Sequence, residues 1–209
     1  MRILIVDDHA VVRQGIRQIL AEMSGPVVIG EAGNGGDALR LLREESWNIV
    51  LLDIGLPGKN GIEVLKQIKA EWKKLPVLML SMYPEDQYAL RAIRAGAAGY
   101  MTKESAPDEL LNAINKVKNG GRYISADVAE KLVFELDEAK NELPHQGLSD
   151  REFEVLRLIA SGKSVSEIAD MLSLSVKTIR TYRSRILEKM KMKHNAELTH
   201  YALKHELVE

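Results

Sequence analysis

Four apolar runs in the N-terminal half stop abruptly at residues able to handle phosphate. Ile3-Leu4-Ile5-Val6 stops at Asp7-Asp8, Ile49-Val50-Leu51-Leu52 at Asp53, Val77-Leu78-Met79-Leu80 at Ser81, and Gly99-Tyr100-Met101-Thr102 at Lys103. Three carboxylates brought close together repel, which raises their pKa values or demands a cation. Hard oxygen ligands with room for water suit Mg²⁺. A carboxylate can also attack phosphorus and form an aspartyl-phosphate, with the metal and a lysine stabilising charge on the transferring group. Taken singly, each aspartate could be a loop cap, Ser81 an N-cap and Lys103 a solvated surface lysine. The recurrence of all five at strand ends is the specific signal.

The elements that must position these residues follow from periodicity. Strand-like runs at Ile3–Val6, Val27–Ile29, Ile49–Leu52, Val77–Leu80 and Gly99–Met101 alternate with amphipathic segments. Those segments are Val11–Met23, Asp37–Glu45, Gly61–Ala70, Asp86–Ala95 and Pro107–Asn119. Continuous apolar strands ended by polar residues are expected of a sheet buried on both faces. Five strand–helix units predict an α/β domain with an open, doubly wound, five-stranded parallel sheet rather than an eight-unit barrel. In the flavodoxin-like order 2-1-3-4-5, the first and third strands are neighbours, so Asp7, Asp8 and Asp53 converge beyond their carboxyl ends. An aspartate phosphatase would place a second acid two residues after its nucleophile, where this chain has Gly55. A dinucleotide enzyme would carry G-x-G-x-x-G after the first strand, which is absent. Gly33-Asn34-Gly35-Gly36, after the second strand, reads as a turn.

Past Gly120-Gly121 the strand pattern ends. Ser125–Lys140 reads as a helix capped by Ser125, followed by a polar stretch with Pro144. Residues 122–146 are therefore assigned to a linker, between a first domain at 1–121 and a second at 147–209. The second reads as all helix: Asp150–Ser161, Val165–Leu172, Val176–Lys191 and Ala196–His205. Two short helices around Ser173-Leu174-Ser175, with Ser175 as a cap, have the form of a helix-turn-helix. The spacing places Val165, Ile168, Ala169 and Leu172 inward on the first. Val176, Ile179, Ile186, Leu187 and Met190 are inward on the second, with Lys177, Arg180, Thr181 and Ser184 opposite. Lys177, Arg180, Arg183, Arg185, Lys189, Lys191 and Lys193 face a single acid, Glu188, in a chain whose net charge is −1. A basic exposed helix is the footprint of a phosphate-backbone partner, so double-stranded DNA is the expected ligand.

The chain has 209 residues, 45% hydrophobic and 28% charged, an ordinary globular composition. It has no cysteine, which excludes disulfides, thiolate zinc fingers and a cysteine nucleophile. The first apolar run is too short for a secretory signal, and no stretch approaches the ~20 apolar residues of a membrane span. A cytoplasmic location without membrane attachment is expected.

Asp7-Asp8, Asp53 within Asp-Ile-Gly-Leu-Pro-Gly, Ser81 and Gly99-Tyr100-Met101-Thr102-Lys103 resemble the receiver domain of bacterial response regulators. Leu148-Ser-Asp-Arg-Glu, Ile168-Ala-Asp-Met-Leu, Leu174-Ser-Val-Lys-Thr-Ile-Arg and Ile186-Leu-Glu-Lys-Met resemble the LuxR-type DNA-binding domain. Together they are similar to the NarL/FixJ family. The resemblance implies that Asp53 accepts phosphate from a sensor histidine kinase and that the protein is not a metabolic enzyme. It implies Mg²⁺ held by Asp8, Asp53 and the Gly55 carbonyl, with Asp7 acting through water. Ser81 and Lys103 would contact the phosphoryl group, and the Tyr100 rotamer would follow it. Lys177, Arg180, Thr181 and Ser184 would enter the major groove, with Arg183 and Arg185 on the DNA backbone. The last helix would form the active homodimer through Leu198, Tyr201 and Ala202, and RNA polymerase would be a further partner. Position 81 is Ser where the family often has Thr. Gly55 leaves the dephosphorylating water no side chain to orient it, and Val165 stands where Asn is common. A receiver that only docks partner proteins is the reading that this full set of acidic, hydroxyl and lysine residues opposes.

Overall fold

The computed structural model describes residues 1–126, 128–130 and 143–208. The chain divides into two compact units, Met1–Asp137 and Glu138–Glu209. Most of the expected Ser125–Lys140 helix lies outside the described residues. Its start is described: Ser125 Oγ accepts from Val128 N at 3.3 Å, as a cap should.

In the first unit the apolar runs become strands β1 (Arg2–Val6), β2 (Val28–Ala32), β3 (Ile49–Asp53), β4 (Val77–Ser81) and β5 (Gly99–Thr102). All pair in parallel in the order β2-β1-β3-β4-β5, as the five-unit alternation predicts. The helices are α1 (Ala10–Leu20), α2 (Gly35–Glu44), α3 (Gly61–Glu71), α4 (Glu85–Arg94) and α5 (Ala106–Lys118). Alternate residues Ile3, Ile5, Ile49, Leu51, Leu78 and Leu80 face α1 and α5, packing with Ile16, Leu20, Leu110 and Ile114. The intervening residues Leu4, Val6, Val50, Leu52 and Met79 are equally buried, on the face where α2, α3 and α4 follow one another.

Three differences from the expected elements have local causes. β2 continues through Gly30 and Glu31 because Trp47 covers it: a Cβ at Gly30 would sit 2.2 Å from the indole ring. Glu31 points outward to Arg13 and Arg17. The helix after β2 begins at Gly35, inside the glycine-rich turn. Asn34 caps it by accepting from Asp37 N at 2.9 Å, and Gly35 lies where a Cβ would meet Val64 Cγ2 at 2.5 Å. Tyr123, expected in the linker, bonds to β5: Tyr100 N donates to its carbonyl at 3.0 Å, and its own N–H reaches Ala98 O at 3.0 Å.

Gly61 is fixed by the site above it. A Cβ there would lie 2.0 Å from the carbonyl oxygen of Asp53, and its N–H donates to Ile54 O at 2.9 Å. Gly61→Ala must push α3 away from the end of β3, at about 1–3 kcal/mol for overpacking. A thermal melt of the variant should show this loss, and a melting temperature equal to wild type would refute the contact.

The second unit contains a short 3-10 turn (Pro144–Gly147) and helices α6 (Asp150–Ala160), α7 (Val165–Met171), α8 (Val176–Lys189) and α9 (Asn195–Lys204). Helix α6 packs against the other three. Ser149 and Ser164 open α6 and α7 with reciprocal caps to Glu152 and Glu167. Ser175 caps α8 by accepting from Thr178 N at 3.0 Å. The core joins Phe153, Leu156, Ile168, Ile179, Ile186, Leu198 and Ala202. Lys189 crosses to Glu152 at 2.6 Å, and Arg157 Nε donates to Leu207 O at 2.8 Å, pinning the last described residues. No described helix is long and apolar enough to cross a membrane.

Candidate functional site

Asp7 continues β1 by donating its N–H to Ala32 O at 3.1 Å, and Asp53 ends β3. Both are almost fully buried, whereas Asp8 is exposed. Asp7, Asp8, His9 and Asp53 offer ligand atoms within 4.8 Å of one another. Lys103 closes the group from the end of β5, its Nζ 2.6 Å from Asp7 Oδ2 and 2.9 Å from Asp53 Oδ2. Its position follows from β-pairing, since Lys103 N donates to Ser81 O at 2.7 Å.

Burial raises the Asp53 pKa above the ordinary carboxylate range. Lys103 opposes that shift, the nearby Asp7 adds to it, and a Gly55 backbone N–H bond to the carboxylate works against it. Burial alone would lower the Lys103 pKa, but the Asp53 and Asp7 carboxylates outweigh burial and raise it, so the ammonium stays charged. One lysine faces three carboxylates. The remaining negative charge and hard oxygen donors fit a small divalent cation. Gly55 leaves room beside the carboxylate: a Cβ there would lie 3.6 Å from Asp53 Oδ2.

Ser81 is fully buried, and its Oγ accepts from Tyr83 N at 2.9 Å. Tyr100 is also fully buried, and its hydroxyl donates to Tyr83 O at 2.8 Å. One peptide unit on either side of Tyr83 is thus held by both expected switch residues. In this structure the Tyr100 ring is buried, and its hydroxyl is bonded to the loop between β4 and α4.

Three contributors were missed in the sequence. His9 N donates to Asp7 Oδ1 at 2.8 Å and its Nδ1 lies 2.8 Å from Asp8 Oδ1. Arg13 donates to the Asp7 carbonyl at 2.7 Å. Tyr83 contributes its backbone N–H and carbonyl, which no side-chain pattern reveals. His9 adjoins Asp8 and Arg13 lies one turn along α1, so adjacency and helical spacing were the signals available.

In the second unit, α7 and α8 are joined by a turn in which Ser173 takes φ 52°, the left-handed region. Lys177, Arg180, Thr181, Ser184 and Arg185 are exposed on α8. The Thr181 and Ser184 hydroxyls donate to Lys177 O and Arg180 O, at 3.0 and 3.1 Å, and keep lone pairs as acceptors. Arg183 is half-buried, with Nε donating to Asn195 Oδ1 at 2.6 Å, so it ties α8 to α9. Ile179, Ile186 and Met190 face inward as expected, but Val176 is 37% exposed at the first turn of α8. The expected dimer contacts also need correction. Leu198 and Ala202 are 0% exposed and belong to the unit's own core, which withholds them from a partner surface. Tyr201 is half-buried and bonded through its hydroxyl to His145 Nδ1 at 2.9 Å.

A receiver-type α/β unit with this acidic site, followed by a helix-turn-helix unit, defines a class of regulatory protein. Residues 3–115 match the response regulator receiver domain, and residues 146–202 match the bacterial regulatory proteins of the luxR family. The chain belongs to the NarL/FixJ family of two-component response regulators with a LuxR-type DNA-binding domain. It is 38% identical to the response regulator UvrY of Escherichia coli over 208 residues, 99% of this chain and 95% of that protein. It is 38% identical to the response regulator GacA of Pseudomonas protegens over 209 residues, covering 100% and 98%. RcsB of Salmonella typhimurium matches with a TM-score of 0.67 at 28% identity, over 98% of this chain and 97% of that one. RcsB of Salmonella enterica serovar Typhimurium, solved on the rprA promoter with the phosphomimetic BeF3−, matches with a TM-score of 0.62 at 27% identity, covering 96% and 98%.

Proposed function

We propose that a sensor histidine kinase phosphorylates Asp53 and that this controls homodimerisation and sequence-specific DNA binding, regulating transcription in the cytoplasm. The observation that carries the reading is the Lys103 ammonium, 2.9 Å from a buried Asp53 carboxylate and 2.6 Å from Asp7. An Asp53 oxygen attacks the phosphorus of the phosphohistidine, the P–N bond breaks, and the imidazole leaves with the bonding pair. Lys103 is placed to turn from the carboxylates to a phosphoryl oxygen, and Ser81 to offer its hydroxyl. Asp8, Asp53 and the Gly55 carbonyl would hold Mg²⁺, with Asp7 acting through water, and the ion supplies charge neutralisation for phosphoryl transfer. Gly55 supplies no polar side chain to orient a hydrolytic water, which favours a persistent phosphoryl group.

Exposed Lys177, Arg180, Thr181, Ser184 and Arg185 on a capped helix support major-groove binding by α8, as does the promoter complex of the relative RcsB. Two such units on adjacent half-sites bind far more tightly than one through effective concentration, and RNA polymerase is then the downstream partner. Sedimentation velocity and operator binding, with and without acetyl phosphate, test the coupling. Wild type should gain dimer and DNA affinity together. Ser81→Ala should accept phosphate yet show neither gain. Phosphorylated wild type that stays monomeric and binds DNA no better than the unmodified protein would overturn the reading.

A further inference from the structure

The phosphate chemistry lies at the carboxyl ends of the strands, but a strongly basic concavity of the first unit lies at their amino ends. A cavity of about 920 Å³ is bordered by Asn48, Pro76 and Ala98, the residues immediately before β3, β4 and β5. Its charged lining is Lys69, Lys73, Lys74, Lys118 and Arg122, with no carboxylate among the residues around it. Among the described residues, none of the five cations forms an ion pair. Lys69 Nζ donates to Leu75 O at 2.5 Å. Burial, then repulsion from Arg122, lowers its pKa. The negative C-terminal ends of α3 and α5 account for a lysine or two here. They do not account for five uncompensated cations converging on one hollow.

A second compartment of about 680 Å³ adjoins the first, sharing Asn48, Lys73, Lys74 and Pro76. Leu42, Leu75, Trp47 and Trp72 give it an apolar, aromatic wall. Its two acids are already engaged, Glu45 by Arg2 and Glu71 by Arg43 at 2.9 Å. Neither therefore neutralises the lysines next door. Clustered cations suit an anion of several charges, and an adjoining flat apolar wall suits an aromatic ring system. Both volumes lie in the range of small-ligand sites.

We propose that this double cavity binds a nucleoside polyphosphate, phosphates among the lysines and Arg122, base against the Trp72 side. The ligand would act at the end of the sheet opposite Asp53, independently of phosphoryl transfer. Five-residue strands separate the two ends by about 16 Å.

The full-length protein carries its own reporter, because its two tryptophans, Trp47 and Trp72, both line the apolar compartment. GTP and ATP, titrated without divalent metal, should change tryptophan emission saturably. Inorganic pyrophosphate should compete for the site while changing emission less, having no base. The triple variant Lys73→Glu, Lys74→Glu, Lys118→Glu should raise Kd by about tenfold or more. Circular dichroism should show it folded, and Lys118→Gln with Lys73→Gln offers a milder pair should it not. Nucleotide added to the Asp53→Asn protein should bind as to wild type, separating this site from the acidic one. Absence of saturation at millimolar nucleotide, wild-type affinity in the folded charge variants, or pyrophosphate matching GTP in both affinity and emission change would each overturn the proposal.

Discussion

Asp53→Asn protein incubated with Mg²⁺ and acetyl phosphate is expected to take up no phosphoryl group, while wild type gains a single acid-labile one. An amide is a poor nucleophile, and the substitution removes a negative charge from the proposed metal site. The loss will not come from unfolding. Burial holds the Asp53 pKa above its ordinary value, so the ionised carboxylate is disfavoured in the folded state relative to the unfolded one. A raised carboxylate pKa means this group's contribution is least favourable above the folded pKa and improves as pH falls through the folded pKa toward the unfolded one. A neutral isostere escapes that penalty, and Lys103 keeps its 2.6 Å contact with Asp7. The variant should therefore melt no lower than wild type near neutral pH. Intact-mass spectra showing equal phosphorylation of both proteins would remove Asp53 from the mechanism.

On α8, Arg180→Ala is expected to cost about 1–3 kcal/mol at the operator and to relax preference at one base pair, if Arg180 reads a guanine edge. Arg185→Ala should weaken specific and random DNA alike and reduce the salt slope by about one unit. Both side chains are exposed on α8 and bonded to no neighbouring side chain among the described residues, so each variant loses a DNA contact without a folding defect. Arg183 differs: its bond to Asn195 means that Arg183→Ala should also lower the melting temperature. Titrations with operator and scrambled duplex at several salt concentrations separate these effects. Equal losses by the Arg180 and Arg185 variants on both duplexes would refute the division of roles.

The central sheet was legible because β1, β3 and β4 are buried on both faces and read as unbroken apolar runs. Edge strand β2 was read short because Gly30 and Glu31 look like a loop until Trp47 and the α1 arginines are seen to cover them. The acidic pocket was legible because parallel pairing forces strand ends into one place. The dimer assignment failed at Leu198 and Ala202 for a related reason. Helical spacing places residues on a face, but whether that face meets the protein's own core or a second molecule depends on the tertiary packing of α6. The amino-end cavity was invisible, since its cations come from α3, the following loop, α5 and the segment after it.

The Tyr83 backbone, held at its N–H by Ser81 and at its carbonyl by Tyr100, has a consequence for signal fidelity. On the proposed function, a Ser81 side chain that turned toward a phosphoryl oxygen would release that N–H, and the loop backbone would no longer hold the Tyr100 hydroxyl in the same place. A half-completed change would weaken the bond of the part-buried Tyr83 N–H before a new arrangement replaced it. On the same reading, intermediate arrangements would then be disfavoured. The receiver would transmit in whole steps: a population of molecules could report a weak stimulus only by the fraction that has switched, never by how far each one has moved.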